Sequence, residues 1–345
     1  MARHVNIPVF IPHLGCPNQC VFCNQRTISG VTEFDPASVV SIIEEALSTV
    51  DPADECEIAF FGGSFTGIER ELMTELLKTA YSYVRAGRVT SVRCSTRPDY
   101  IDGEIINILC RYGVKTVELG LQSSSDTVLE LTKRGHTYRD EERAARLITE
   151  AGLELVGQMM IGLPGATPES ELATARFIIE SGARAARIYP TVVFHDTELC
   201  TMVDLGIYTP LSLDEAVERS ASVFALFLEN NIEVIRIGLC ASDNLLSEDT
   251  YHSGPNHPAI GEMVINRYYL DKILGQINAI APNNDKKITV SVSRGSVSKA
   301  IGQKKINKLR LESLYGVGRV AFREDASLAP YDVRVTAEVG DNKCI

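Results

Sequence analysis

Six short apolar runs, each followed by an amphipathic stretch, occupy the first two-thirds of the chain. The runs are Val5–Ile11, Glu57–Phe61, Val89–Cys94, Thr116–Leu119, Glu154–Met160 and Ala186–Tyr189. Helical patterns lie at Pro36–Thr49, Ile68–Ala86, Gly103–Tyr112, Tyr138–Ala151 and Glu169–Ser181. Gly87, Gly113, Gly152 and Gly182 stand where helix C-termini need a stop. Repeated β-then-α units commit a chain to a parallel sheet covered by helices, either doubly wound or barrel-like. A seventh unit follows, with a helix near Leu213–Glu229 and a strand near Glu233–Ile237. In such sheets ligands gather at the C-terminal ends of the strands. Cys16–Cys23, Gly62-Gly63, Ser95–Arg97, Gln122 and Gly162–Pro164 all follow strand candidates, so one rim is expected to carry them.

With 345 residues, 45% of them hydrophobic, the chain can bury a large core and a second, smaller unit. No run approaches the roughly 18 apolar residues of a membrane span. The N-terminal stretch lacks a small-residue cleavage site, so a cytoplasmic location without membrane partners is expected. A net charge of −11 argues against indiscriminate nucleic-acid binding. The charge is uneven, however. Ala281-Pro282-Asn283-Asn284 reads as a linker, and from Asn283 to Arg323 ten Lys/Arg face only Asp285 and Glu312. That stretch carries about +8, which leaves about −19 on the rest. The expected organisation is a core over 1–210, its extension over 211–281, a basic lobe over 282–330 and a tail over 331–345.

Nine cysteines in such a chain do not form a disulfide framework. Cys56, Cys94, Cys110, Cys200, Cys240 and Cys344 are scattered and read as small buried hydrophobes; Cys344, near the chain end, is also a candidate mobile thiol. Cys16, Cys20 and Cys23 instead fall within eight residues, spaced C-x3-C-x2-C directly after the first strand. Thiolates at that spacing suit zinc or an iron–sulfur cluster. Zinc needs a fourth ligand, for which His13, His136 and His257 are candidates, but no second C-x2-C is present. A cubane with three protein ligands leaves one iron open.

The loop Cys16-Pro17-Asn18-Gln19-Cys20-Val21-Phe22-Cys23 resembles the cluster loop of the radical S-adenosylmethionine superfamily. Four further motifs resemble that superfamily in order: Gly62-Gly63-Ser64, Ser95-Thr96-Arg97-Pro98-Asp99, Gly120-Leu121-Gln122-Ser123 and Gly162-Leu163-Pro164-Gly165. The resemblance implies a partial (β/α)6 barrel, one 4Fe–4S cluster on Cys16, Cys20 and Cys23, and S-adenosylmethionine as cofactor. It places Gly62, Gly63, Ser64, Ser95, Gln122, Gln158 and Gly162 around that cofactor. Thr96–Asp99, Gln122-Ser123, Lys133–Thr137 and Ile235–Gly238 are similar to the radical domain of the Elongator catalytic subunit over about residues 5–275. By that resemblance Arg134 holds the methionine carboxylate, a planar anion suited to a guanidinium fork. The acetyltransferase domain of that family has no counterpart in the remaining stretch. A flavodoxin- or ferredoxin-type electron donor is implied as a partner.

In the basic lobe, Ile288–Ser293 and Arg319–Arg323 read as strands around helices at Ser296–Ile301 and Ile306–Tyr315. This order resembles a KH domain, whose G-x-x-G loop clamps nucleic-acid backbone. Here the loop is Gly302-Gln303-Lys304-Lys305, with lysine at the second glycine position. Gly302, Lys304, Lys305, Lys308 and Arg310 are the candidate RNA contacts, and tRNA is the expected substrate class. One rival is a small-molecule or tetrapyrrole enzyme related to the oxygen-independent coproporphyrinogen oxidases, although Gln25 stands where their loop has a further cysteine. Another is a non-catalytic zinc protein that binds RNA. No catalytic acid or base can be named; His252 and His257 are candidates for approaching the open barrel side.

Overall fold

The structure is a computed structural model that describes residues 4–11, 14–16, 20–24, 34–51, 54–239, 247, 249–280 and 286–339. His13, Gln25, Cys240, Cys344 and the linker at 281–285 lie outside the described residues. The chain forms two compact units, residues 1–213 with 226–256, and residues 214–225 with 257–345.

In the first unit the strands are β1 (His4–Ile11), β2 (Glu55–Gly62), β3 (Ser91–Thr96), β4 (Val114–Gln122), β5 (Glu154–Ile161), β6 (Ala185–Pro190), the short β7 (Val193–Phe194), β8 (Glu233–Ile237) and the short β9 (Tyr251–Ser253). The helices are α1 (Val39–Thr49), α2 (Arg70–Arg85), α3 (Gly103–Arg111), α4 (Asp126–Leu131), α5 (Tyr138–Glu150), α6 (Pro168–Glu180) and α7 (Glu198–Asp204); α8 (Leu213–Glu229) belongs to both units by sequence. Seven strands form one parallel sheet in the order β1-β2-β3-β4-β5-β6-β8. Every new strand adds to the same edge. A doubly wound sheet reverses direction at a switch point, so this order is the barrel alternative.

The central strands are buried on both faces, as their apolar runs predict: Ile58, Ala59, Phe60, Val92, Cys94, Val117 and Leu119 are all inaccessible to solvent. Helix starts follow local chemistry. Thr137 and Asp140 close a capping box at α5, and Thr167 and Ser170 do so at α6, where Pro168 takes the first turn. Gly87 and Gly152 end their helices at φ 68° and 75°, where a Cβ would meet nothing, so conformation rather than space requires glycine. Beyond the expected elements, β7 and β9 form an antiparallel ribbon beside α7.

The second unit contains α9 (Ile260–Ile280), β10 (Lys286–Val292), α10 (Val297–Ile301), α11 (Ile306–Tyr315), β11 (Val320–Glu324) and β12 (Val333–Val339). Its sheet runs β11-β10-β12, parallel then antiparallel. The strand β12 lies where the sequence suggested a tail. Gln276 on α9 fixes it, donating to the Val333 carbonyl at 2.7 Å and accepting from the Val335 amide at 2.8 Å. Phe224, Tyr268, Tyr269 and Tyr331 pack edge-on within this unit. Among the described residues, no helix is long and apolar enough to cross a membrane.

Candidate active site

The cysteine loop is tied down by backbone bonds at its centre. The Cys23 amide donates to the Cys20 carbonyl at 2.9 Å, the Val21 amide to Thr132 at 3.2 Å, and the Leu199 amide to Val21 at 2.8 Å. The start of the loop lies on the turn after β2. A Cβ on Gly63 would sit 2.3 Å from the Leu14 carbonyl oxygen, and one on Gly15 would sit 2.3 Å from the Ser64 carbonyl oxygen. The glycines at this turn therefore let two backbones touch. The sequence reading assigned Gly62 and Gly63 to cofactor approach; the visible demand on Gly63 is the seat of the cysteine loop.

Cys16, Cys20 and Cys23 are not joined in a disulfide; Cys20 is buried and the other two are partly exposed. Burial pushes the Cys16 thiol up, and Arg97 offsets part of that rise.

Two guanidinium groups flank Cys20. Arg134, 6% exposed, points Nη1 at its sulfur at 3.2 Å and donates Nη2 to the Gly120 carbonyl at 2.6 Å. Arg97 lies with Nη1 4.0 Å from the same sulfur, chelates Asp99 through 2.9 and 2.8 Å bonds, and donates to the Arg134 carbonyl. Two buried polar atoms here, Arg134 Nε and Gln122 Oε1, have no hydrogen-bond partner among the described residues. Gln122 takes φ 72° where the β4–β5 register slips between Gly120 and Gln122. Three thiols, two cations and unsatisfied buried polar atoms fit a thiolate-bound cluster with a polar ligand beside it.

The other predicted residues divide between wall and interior. Ser64 is buried in the wall, its hydroxyl 2.9 Å from that of Thr96 and accepting from the Arg97 amide at 3.2 Å. Thr66 continues the chain to the Tyr100 carbonyl at 2.8 Å. Gly162 is pinned from both sides, its amide donating to Glu171 at 2.6 Å and its carbonyl accepting from Tyr208 at 2.6 Å. Gln158 donates to Ser95 at 3.4 Å and to Glu118 at 2.8 Å. His136, a candidate zinc ligand, is instead buried against Glu141 at 3.0 Å, and its pKa is pushed down to about 3, chiefly by burial and then by Arg134 and Arg97.

Sequence reasoning missed the interior hub. Glu118 on β4 is 0% exposed and takes Arg187 from β6 at 2.7 and 2.8 Å, Arg93 from β3 at 3.1 Å and Gln158 from β5. Arg93 also grips Glu57 of β2 at 3.0 and 2.8 Å. Burial pushes the Glu118 carboxyl up, but its two arginines and Gln158 outweigh burial and hold it below the ordinary range. The available signal was a charged residue inside β2, β3, β4 and β6, namely Glu57, Arg93, Glu118 and Arg187, each of which needs a partner.

In the second unit, Gly302 is buried, and a Cβ there would sit 2.8 Å from Ile306. Lys304 and Lys305 are exposed and both left-handed, at φ 50° and 64°. Lys305 thus takes the backbone form a glycine would take. Arg310 is exposed, and Lys308 lies 3.8 Å from Glu312. Ile306 and Leu309 on α11 are also exposed, at 62% and 58%.

Comparison with known proteins agrees with the fold. The Radical SAM superfamily matches residues 10–178, and the Radical SAM C-terminal domain matches residues 183–289. The tRNA uridine(34) acetyltransferase of Methanocaldococcus jannaschii is 29% identical over 59% of this chain and 45% of its own length. Elongator complex protein 3 of Saccharomyces cerevisiae is 24% identical over 62% of this chain and 46% of its own. The chain thus spans about half the length of the curated relatives it matches. The structure of archaeal Methanocaldococcus infernus Elp3, lacking its N-terminus, superposes with a TM-score of 0.63 at 23% identity, over 79% of this chain and 63% of that one.

Proposed function

The chain belongs to the radical S-adenosylmethionine superfamily of enzymes, and from that premise we propose that it modifies RNA, with tRNA as the substrate class. Cys16, Cys20 and Cys23 would hold the 4Fe–4S cluster. When bound, that cluster supplies the electron that splits S-adenosylmethionine reductively to methionine and a 5′-deoxyadenosyl radical. A reductant of the flavodoxin or ferredoxin type delivers the electron.

The chain's own residues set the conditions. Arg134 and Arg97 place positive charge beside the Cys20 sulfur. Arg134 is also the candidate for the methionine carboxylate, and Gln122, Gln158 and Ser95 offer polar atoms for the remaining cofactor groups. Removing a charge-assisted pair costs about 1.5–3 kcal/mol. Arg134→Ala should therefore weaken S-adenosylmethionine binding roughly ten- to hundredfold, read by calorimetry on anaerobically reconstituted protein. Unchanged affinity would restrict Arg134 to holding Cys20 and Gly120.

The observation that carries the RNA reading is the Gly302–Lys305 loop. Two exposed lysines in succession hold a left-handed backbone that costs roughly 1–2 kcal/mol per non-glycine residue. Strain of this kind collects at functional sites. Exposed Ile306 and Leu309 follow, giving charge for phosphates next to apolar surface for bases. Relatives named for tRNA uridine(34) acetylation support the same substrate class. The test is Lys304→Glu with Lys305→Glu in the full chain. tRNA affinity should fall, and the slope of log K against log salt should shrink by about 1.4, the share of two phosphate contacts on a single strand. Unbroken S-adenosylmethionine cleavage without RNA serves as the fold control. An unchanged affinity and salt slope would remove this loop from RNA binding.

A further inference from the structure

A second group of metal-ligand side chains lies in the first unit, apart from the cysteine loop. Cys200 and Asp204 stand one turn apart on α7, and His252 comes from β9 across the two-stranded ribbon. Their ligand atoms all lie within 4.8 Å of one another. His252 Nε2 is 3.2 Å from Asp204 Oδ1, and Cys200 Sγ is 3.9 Å from Asp204 Oδ2. Tetrahedral zinc with bonds of about 2.0 Å to N and O and 2.3 Å to S has N–O edges of about 3.3 Å and S–O edges of about 3.5 Å. The His252 spacing matches its edge, and the Cys200 spacing, measured to the other oxygen of the same carboxylate, is about 0.4 Å longer than its edge.

We propose that Cys200, Asp204 and His252 form a second metal site, for a divalent ion of the zinc class. The surroundings match the needs of such a site. His252 Nδ1 is 2.8 Å from the Ser253 hydroxyl, which fixes the ring and leaves Nε2 for the ion. Cys200 sits in an apolar wall with Val21, Val193 and Leu199, while Asp204 is exposed and opens the entry path. The His195 ring stands edge-on to His252, centroids 5.2 Å apart, which makes that imidazole the nearby candidate for a fourth ligand, with water as the other. A soft thiolate, a borderline imidazole and one carboxylate favour zinc over magnesium or calcium. The ion would bind α7 to the β7–β9 ribbon. Because the Leu199 amide holds the Val21 carbonyl, that staple also steadies the cysteine loop.

Cobalt(II) tests the site, because a thiolate ligand gives it a near-ultraviolet charge-transfer band. The titration uses full-length chain carrying Cys16→Ala, Cys20→Ala and Cys23→Ala, so the loop contributes no thiolate. One equivalent should bind with that band and with tetrahedral visible absorption. Cys200→Ser should abolish the charge-transfer band, His252→Gln should abolish tight binding, and Ser253→Ala should weaken it roughly tenfold or more. In parent protein with the loop cysteines intact and the iron–sulfur cluster reconstituted, mass spectrometry should count one zinc per chain, lost in Cys200→Ser without loss of iron. Absence of the band in the loop-free chain, or a band that survives Cys200→Ser, overturns the proposal. So does zinc content that does not depend on Cys200.

Discussion

Replacing Cys16, Cys20 or Cys23 singly by alanine should abolish 5′-deoxyadenosine formation. Each thiolate is assigned to one iron, and two thiolates do not retain a cubane with one open iron. The loop should survive the change. Its backbone anchors, from Val21 to Thr132, from Leu199 to Val21 and from Cys23 to Cys20, use no sulfur atom and persist when a side-chain contact such as Arg134 to the Cys20 sulfur is lost. The loss should therefore appear as chemistry and not as unfolding. Iron and sulfide content, together with 5′-deoxyadenosine measured after anaerobic reconstitution, separate the two. Cys110→Ala, on the exposed face of α3, is the matched control and should behave as the parent. Full 5′-deoxyadenosine production by any loop variant would refute the ligand assignment.

The sheet was legible because buried parallel strands are continuous apolar runs, and each run ended at a punctuating turn. The choice between doubly wound and barrel forms was not legible from the runs, since periodicity carries no information on strand order. The β7–β9 ribbon was invisible for another reason: two or three residues show no period. β12 did carry a signal, buried Val333 and Val335 alternating with exposed Arg334, but its place at the chain end made it read as a tail.

Within the site, residue type showed the thiols, and resemblance pointed to Arg134. Neither reading showed that Arg134 reaches Cys20 across 114 positions. Arg97 was quoted within a motif but missed as the second cation at Cys20, because only the folded rim sets it there. Ser64 shows the converse. Its motif is at the rim, yet its hydroxyl is spent inside the wall on Thr96 and Arg97.

Glu118→Gln is expected to destabilise the first unit by about 3–5 kcal/mol, the cost of removing one partner from a buried ion pair. The amide keeps the shape and can still accept from Gln158. It cannot neutralise Arg187, which loses the carboxylate it holds through two bonds, while Arg93 retains Glu57. Adding Arg187→Leu should recover much of the loss, because the uncompensated buried charge is then gone, and the double-mutant cycle measures the coupling. Acid adds an independent reading. The folded carboxyl lies below its ordinary value, so the unfolded chain binds the proton more tightly. The stability it confers is complete above the unfolded pKa, about 4.3 for a glutamate, and is lost as pH falls through the lower folded pKa. In Glu118→Gln the unfolding midpoint should therefore fall less steeply between about pH 5 and pH 2 than in the parent. A denaturant midpoint equal to the parent's at neutral pH, with the same acid dependence, would show that the hub orders the barrel interior without contributing to its stability.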